Sequence, residues 1–229
     1  MDELVLDGVV KGFGDGPRVL DGLSARVPLD GITFVVGRSG SGKSVLCRLA
    51  VGLLKPDAGA VTLLGERIDT LPERELARVR TRVPYLVQGP ALLDWLTLED
   101  NVALAAKGSK QDGRARRALD SLGLSALARR HPPEVGPGIR KRAAIARALV
   151  LEPRYLLLDE PTTGLDSKAA GLVNEALELL RARGLGALVV SHDSAALERL
   201  ADRVLEVDQG RGGYQGDRAG FLQRRASSR

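Results

Sequence analysis

A single cysteine, Cys47, excludes an internal disulfide. It falls one turn past a lysine, Lys43, where a small buried hydrophobe is expected rather than a redox group. Aromatic residues make up only 3% of the chain. That scarcity argues against a nucleic-acid surface, despite a net charge of +5 and a pI of about 9.6. The basic clusters are scattered: Arg114, Arg116 and Arg117, then Arg140-Lys141-Arg142, then Arg224 and Arg225. They read as solvated helix faces or contacts to a membrane partner. No apolar run approaches the ~20 residues that span a bilayer. The opening Met1-Asp2-Glu3-Leu4 has no basic segment followed by an apolar one, so no secretory signal is expected. These absences predict a cytoplasmic chain, peripheral to a membrane through its partners. Internal repeats and sustained heptads are also missing. What remains is 229 residues, 44% hydrophobic, enough core for one globular domain with a subdomain.

The strongest positive feature is Gly37-Arg38-Ser39-Gly40-Ser41-Gly42-Lys43-Ser44. It follows the β-branched run Ile32–Val36 and precedes the helix-like Val45–Val51. This is the Walker A pattern between a strand and a helix, the context that gives it meaning. Glycines let the backbone wrap a phosphate without Cβ clashes. Successive N–H groups and the helix N-terminus then face the anion. Lys43 can reach the β- and γ-phosphates, and the Ser44 hydroxyl can ligate Mg²⁺. Residues 37–44 with Val45 are therefore the candidate contacts for a nucleoside triphosphate.

Short β-branched runs alternate with helical stretches along the chain, which predicts an α/β domain with a largely parallel sheet. Leu4–Val10 and Leu23–Val27 read as opening strands that can pair antiparallel. Ala60–Leu64, Val83–Val87, Tyr155–Leu158 and Ala187–Val190 follow as strands. Glu73–Arg80 and Lys168–Arg183 read as helices. Residues 88–151 lack strong strand runs and read as a helical insert. Within it, Thr97-Leu98-Glu99-Asp100 resembles a capping box, and Arg114–Leu122 and Gly138–Leu151 are further helices. The division expected is an α/β core over 1–87 and 152–215, with an N-terminal β portion, a helical subdomain over 88–151, and a tail over 216–229 that frays at its end.

Three strand ends carry further chemistry. Tyr155–Leu158 runs into Asp159 and Glu160. Ligands in open α/β sheets bind beyond the carboxyl ends of strands. Asp159 can therefore hold Mg²⁺, and Glu160 can polarise a water in line with the γ-phosphate. His192 follows Val189-Val190-Ser191, where a γ-phosphate contact is needed. Gln88 follows Val83–Val87 in the same way, and its amide can meet Mg²⁺ or the attacking water.

At these residues the chain resembles the ABC transporter ATPases, over nearly its whole length and with motifs in the family's order. The resemblance implies a P-loop NTPase (RecA-like) core with an antiparallel β subdomain and a helical subdomain. It makes Phe13 the aromatic residue that stacks on adenine and Gln88 the Q-loop. Leu156–Glu160 becomes Walker B, Gly164-Leu165-Asp166 the D-loop and His192 the H-loop. Val135-Gly136-Pro137-Gly138-Ile139 lies at the signature motif. The implied assembly is a head-to-tail dimer holding two ATP, homodimeric or paired with another cassette. Each nucleotide then lies between one Walker A and the other chain's Gly136, Gly138 and Asp166. Integral permease subunits are the implied partners. The signature departs from the family's Leu-Ser-Gly-Gly-Gln: Gly136 stands for the serine, Pro137 for a glycine and Ile139 for the glutamine. Slow ATP hydrolysis is expected to follow.

Three stretches look most like the ATPases of mammalian-cell-entry-type phospholipid transporters: Gly42–Leu46 with Gly52–Asp57, Gln88–Leu93 and Gly138–Arg142. Trp95-Leu96-Thr97 is similar to a stretch of small-solute importers, and Trp95 reads equally as a membrane-subunit contact or as subdomain core. An ATP-hydrolysing transporter subunit, with lipid as cargo, is the leading expectation. A small-solute importer, a cassette protein clamping nucleic acid and a phosphotransferase kinase are the alternatives. The clamp class favours two cassettes per chain or a long coiled coil. The kinase class needs an acceptor site and a lid. This sequence offers none of these.

Overall fold

In the computed structural model, residues 2–106 and 113–227 are described. Nine-residue strands β1 (Glu3–Lys11) and β2 (Leu20–Pro28) pair antiparallel, alternating buried and exposed side chains as a half-covered sheet requires. With β4 (Ala58–Leu63) and the two-residue β5 (Glu66–Arg67) they form a sheet of order β2-β1-β4-β5. The second sheet has the order β10-β9-β3-β8-β7-β6. Its parallel strands are β3 (Ile32–Val36), β6 (Tyr85–Leu86), β7 (Tyr155–Asp159), β8 (Gly186–Val190) and β9 (Arg203–Asp208). β10 (Arg211–Asp217) closes the edge antiparallel.

The central parallel strands β3, β7 and β8 are almost wholly apolar and buried because both faces are covered. Ile32, Phe34, Leu156, Leu158 and Val189 pack on the face covered by α5 (Pro137–Leu149), α6 (Ser167–Ala182) and α7 (Ser194–Leu200). Val35, Leu157, Leu188 and Val190 pack on the other, against α1 (Lys43–Ala50) and the antiparallel sheet. Cys47 sits in that second core, fully buried and unpaired, as the sequence implied.

Among the described residues of 88–151 the helices are α3 (Leu98–Ala103), α4 (Arg114–Asp120) and α5, with short 3-10 turns between them. Thr97 caps α3, its hydroxyl accepting from the Asp100 N–H at 3.1 Å. The region does not have a core of its own, however. Leu98, Val102, Leu119 and Ile145 belong to the same cluster as Leu156 and Leu158 of β7.

Three expectations need correction. The strand expected over Val83–Val87 shrinks to Tyr85–Leu86, because Pro84 has no N–H to pair and Val87 is already 42% exposed. The tail expected over 216–229 is ordered structure in its described part. Gly216 and Asp217 finish β10, and Arg218–Ser227 form α8. Phe221 anchors that helix, 3% exposed and 5.6 Å from the Tyr214 ring. Residues 228 and 229 lie outside the described residues. Finally, the basic cluster Arg140-Lys141-Arg142 is not a solvated face, since Lys141 is 8% exposed. The helix α2 (Glu73–Arg82) matches its expectation and runs one pair of residues longer.

Candidate active site

Because β3, β6, β7 and β8 are parallel, their carboxyl ends share one edge of the sheet. β3 delivers Gly37 to that edge, and Gly42 opens α1 with a left-handed φ of 101°. A side chain at 42 could not fit, since a Cβ would lie 2.9 Å from the Val19 carbonyl oxygen. Lys43, the first residue of α1, is 6% exposed. Its ammonium donates to the carbonyls of Gly37 at 3.0 Å and Arg38 at 2.8 Å. Burial lowers its pKa, opposed by the charges of Glu160 and Asp159.

β7 delivers Asp159, 3% exposed, with both oxygens engaged. The Ser44 hydroxyl donates to Oδ1 at 3.0 Å and the Tyr85 hydroxyl to Oδ2 at 2.8 Å. Burial and the Asp159 charge push the Tyr85 pKa up, so that hydroxyl stays a donor. Glu160 follows at a left-handed φ of 51°, uncommon for a side-chain-bearing residue. Its N–H donates to the Val190 carbonyl at 2.9 Å, which ties the ends of β7 and β8 together. Its carboxylate accepts from the Thr163 hydroxyl at 2.7 Å, and His192 Nε2 lies 3.2 Å from the other oxygen.

A cavity of about 390 Å³ opens between these groups. Ser39, Gly40, Gly42, Lys43, Ser44, Val45, Gln88, Glu160 and His192 line it, together with Val19 and Thr163. The structure therefore gathers the phosphate loop, the amide, the carboxylate and the imidazole around one space. Gly37, Arg38 and Ser41 stand in the loop behind it, and the Ser41 hydroxyl is buried without a hydrogen-bond partner. A larger cavity, about 590 Å³, lies at the opposite ends of β7 and β8. Arginines dominate it, with Glu152 as its carboxylate, so chemistry rather than volume selects the smaller one.

Four expected site residues lie elsewhere. Phe13 is 49% exposed in the β1–β2 loop, under the Lys11 ammonium at 5.6 Å from its ring centroid. Gly136 caps α5, and Pro137 takes its first position. Gly138 packs so closely on α6 that a Cβ would lie 2.9 Å from that of Ala169. Asp166 caps α6, accepting from the Ala169 N–H at 2.7 Å. The two turns thus both meet α6 at Ala169, and neither lines this cavity.

Sequence reasoning missed Thr163, Tyr85 and Lys141. A threonine three residues past an acidic pair is a signal for the first. The other two depend on partners 74 and 53 positions away.

A phosphate loop between a parallel strand and a helix, facing an acidic strand end, defines a P-loop nucleotide-binding protein. The chain belongs to the ABC transporter family, whose model matches residues 20–163. It is 39% identical over 205 residues to the methionine import ATP-binding protein MetN of Mesorhizobium japonicum, covering 87% of this chain and 56% of that protein. It is 40% identical over 200 residues to the lipoprotein-releasing system ATP-binding protein LolD of Xanthomonas campestris, covering 84% and 83%. Among solved structures, the dimeric post-hydrolysis state of the ATP-binding cassette MJ0796 bound to ADP and Pi superposes with a TM-score of 0.83. That likeness covers 93% of this chain and 98% of the other at 28% identity. The expected α/β P-loop architecture is therefore shown.

Proposed function

We propose that this chain binds and hydrolyses ATP and couples closure of a two-cassette dimer to cargo movement by separate membrane subunits. The observation that carries the reading is the shared cavity of Lys43, Ser44, Gln88, Glu160 and His192. The ammonium of Lys43 now rests on two loop carbonyls, and the β- and γ-phosphates replace them when ATP binds. Glu160 directs water toward the γ-phosphate, and His192, in contact with that carboxylate, meets the phosphate oxygens. Phe13 is exposed and free to stack on adenine.

The donors fit Mg²⁺. Ser44 and Asp159 offer a hydroxyl and a carboxylate that already touch, both hard oxygen ligands. No group of three or more His, Cys, Asp or Glu that could hold a metal occurs among the described residues. Ser44 and Asp159 would hold the ion, and Gln88, which lines the same cavity, is a further candidate. When bound, Mg²⁺ neutralises charge on the β- and γ-oxygens.

Gly136, Gly138 and Asp166 act on a partner chain's nucleotide in this reading, in a homodimer or with another ABC ATPase. Their distance from their own cavity supports it. Permease subunits are the partners this reading calls for, supported by the import and lipoprotein-releasing relatives; no helix among the described residues is long and apolar enough to cross a membrane. Trp95 is 73% exposed, which favours a docking role over a core one. Leu92 instead packs against the core, so the docking surface centres on Trp95. Lipid or lipid-linked cargo is the first choice, supported by the sequence resemblance and by the lipoprotein-releasing relative. Small-solute import is the second, favoured by the methionine import relative. The chain works from the cytoplasmic face, and the cavity's chemistry calls for no nucleic acid.

The test is Glu160→Gln. The variant should bind ATP as the parent does and release phosphate at least a hundredfold more slowly, read on purified protein. Parent-like hydrolysis would overturn the assignment.

A further inference from the structure

Lys141 lies one turn into α5, the helix that begins at the altered signature. Its side chain is 8% exposed. Burying an ammonium is costly unless its donors find acceptors. Nothing in this apolar setting requires a cation: Lys141 lines a small space with Ala144, Ile145, Leu86, Val87 and Leu158. Two acceptors are nevertheless provided. The ammonium donates to the carbonyl of Gln88 and to that of Glu160, the latter at 3.3 Å. Burial lowers its pKa, while the charges of Glu160 and Asp159 raise it and so favour the cation.

The two residues it joins are the amide and the carboxylate that line the nucleotide cavity from different strand ends. Glu160 holds a left-handed backbone, with its N–H on Val190 and its carbonyl on Lys141. A strained conformation persists where surrounding bonds over-determine it. A second cation of α5 repeats the pattern two turns on. Arg147 donates to the Ala91 carbonyl at 2.6 Å and the Pro90 carbonyl at 3.3 Å. The segment 88–91 is thus held to α5 at two points.

We propose that Lys141 is a positioning residue: its buried ammonium sets the Gln88 and Glu160 backbones from α5, so the signature helix governs the geometry of its own chain's water-directing groups. The inference rests on the ATPase reading above. A shift of α5, whose N-terminus faces a partner chain in that reading, is transmitted through one side chain to both groups. An ångström-scale displacement of such groups costs on the order of a hundredfold in rate.

The experiment compares the parent, Lys141→Met and Lys141→Gln as full chains. Methionine keeps length and burial without donors. Glutamine keeps two N–H donors without charge. ATP affinity, kcat, melting temperature and amide exchange of residues 88–91 are read on each. Lys141→Met should lower kcat on the order of tenfold or more, with ATP affinity within about twofold. Its melting temperature should change little, because removing an ammonium from an apolar setting offsets the donors lost to two carbonyls, and exchange over 88–91 should quicken. Lys141→Gln should recover most of the rate. Parent-like kcat and exchange in Lys141→Met overturn the positioning role. So does a rate loss that tracks a fall in melting temperature and is not recovered by glutamine. A parent that binds ATP but releases no phosphate overturns the ATPase reading instead, and unchanged exchange in Lys141→Met then removes the tie as well.

Discussion

The phosphate loop and the signature loop are both glycine-rich turns that open a helix, yet they are furnished differently. At Gly37–Ser44 the turn is surrounded by chemistry from other strands: Asp159, Glu160, Gln88 and His192. At the signature turn a Cβ at 138 would meet Ala169, its methyl nearest, and a Cβ at 136 would meet open space. The first turn builds its site within one chain. The second presents a helix N-terminus without a side-chain cap, and it does not line that cavity. Chemistry concentrates at the first turn, and packing geometry governs the second.

The sharpest break of that comparison is Lys43→Ala. It removes an ammonium whose donors face the loop, and nucleotide affinity should fall on the order of a hundredfold, measured by equilibrium binding. The fold should survive, because the two bonds lost are to loop carbonyls rather than to the core. Unchanged affinity would mean that the loop's N–H groups alone bind phosphate and that its side-chain furniture is dispensable.

At the signature turn the largest expected effect is on stability instead. Gly138→Val places branched carbons where even a Cβ would lie 2.9 Å from the Ala169 methyl. Overpacking of this kind costs about 1–3 kcal/mol, visible as a lower chemical-denaturation midpoint. Gly136→Ala, in open space, should change stability by only a few tenths to about 1 kcal/mol. Equal costs at the two positions would contradict the packing described here.

The same contrast explains what was legible in the sequence. Local features were readable: the phosphate loop between Ile32–Val36 and α1, the acidic end of β7, and the Thr97 cap all depend on residues a few positions apart. Features that depend on distant acceptors were not. Lys141 sits in a run of three cations and looks solvated until α5 lies against Gln88 and Glu160. The helix α8 hid behind Arg224 and Arg225, because one buried ring, Phe221, decides its docking. Val83–Val87 looked like a full strand because hydrophobicity does not register that it lies at the sheet edge, where strands stay short.

A smaller effect separates the docking surface from the site. Asn101 is fully buried and pegs the loop before α3, with Oδ1 accepting from the Leu93 N–H at 2.7 Å. Its amide donates to the carbonyls of Leu93, Leu96 and Thr97. Trp95 is presented on that pegged loop. Trp95→Ala should reduce recovery of integral membrane partners from solubilised membranes on the order of tenfold, as loss of an aromatic anchor does. ATP affinity should not change, since Trp95 does not line the cavity. Undiminished recovery would move the docking surface elsewhere.

The smallest expected effect tests the signature directly. With Gly136 as cap and Pro137 as first residue, α5 keeps its positive end but offers neither a hydroxyl at 136 nor an N–H at 137. Transition-state donors of this kind are worth on the order of tenfold or more each where they are fully used. Here the remaining N–H groups and the helix end share the load, so the gain from restoring them is smaller. Gly136→Ser with Pro137→Gly should raise ATPase activity several-fold in the assembled dimer. The serine fits, because no atom lies within 4 Å of a Cβ at 136. The added hydroxyl also gives α5 a side-chain cap that it lacks, while the glycine at 137 surrenders a favourable first residue. These two changes oppose each other, so melting behaviour should stay close to the parent's. A rise in rate at unchanged stability would show that the signature turn supplies donors to a partner's phosphate. No rise would show that the helix end alone suffices, and that the two turns differ in packing but not in what they contribute to turnover.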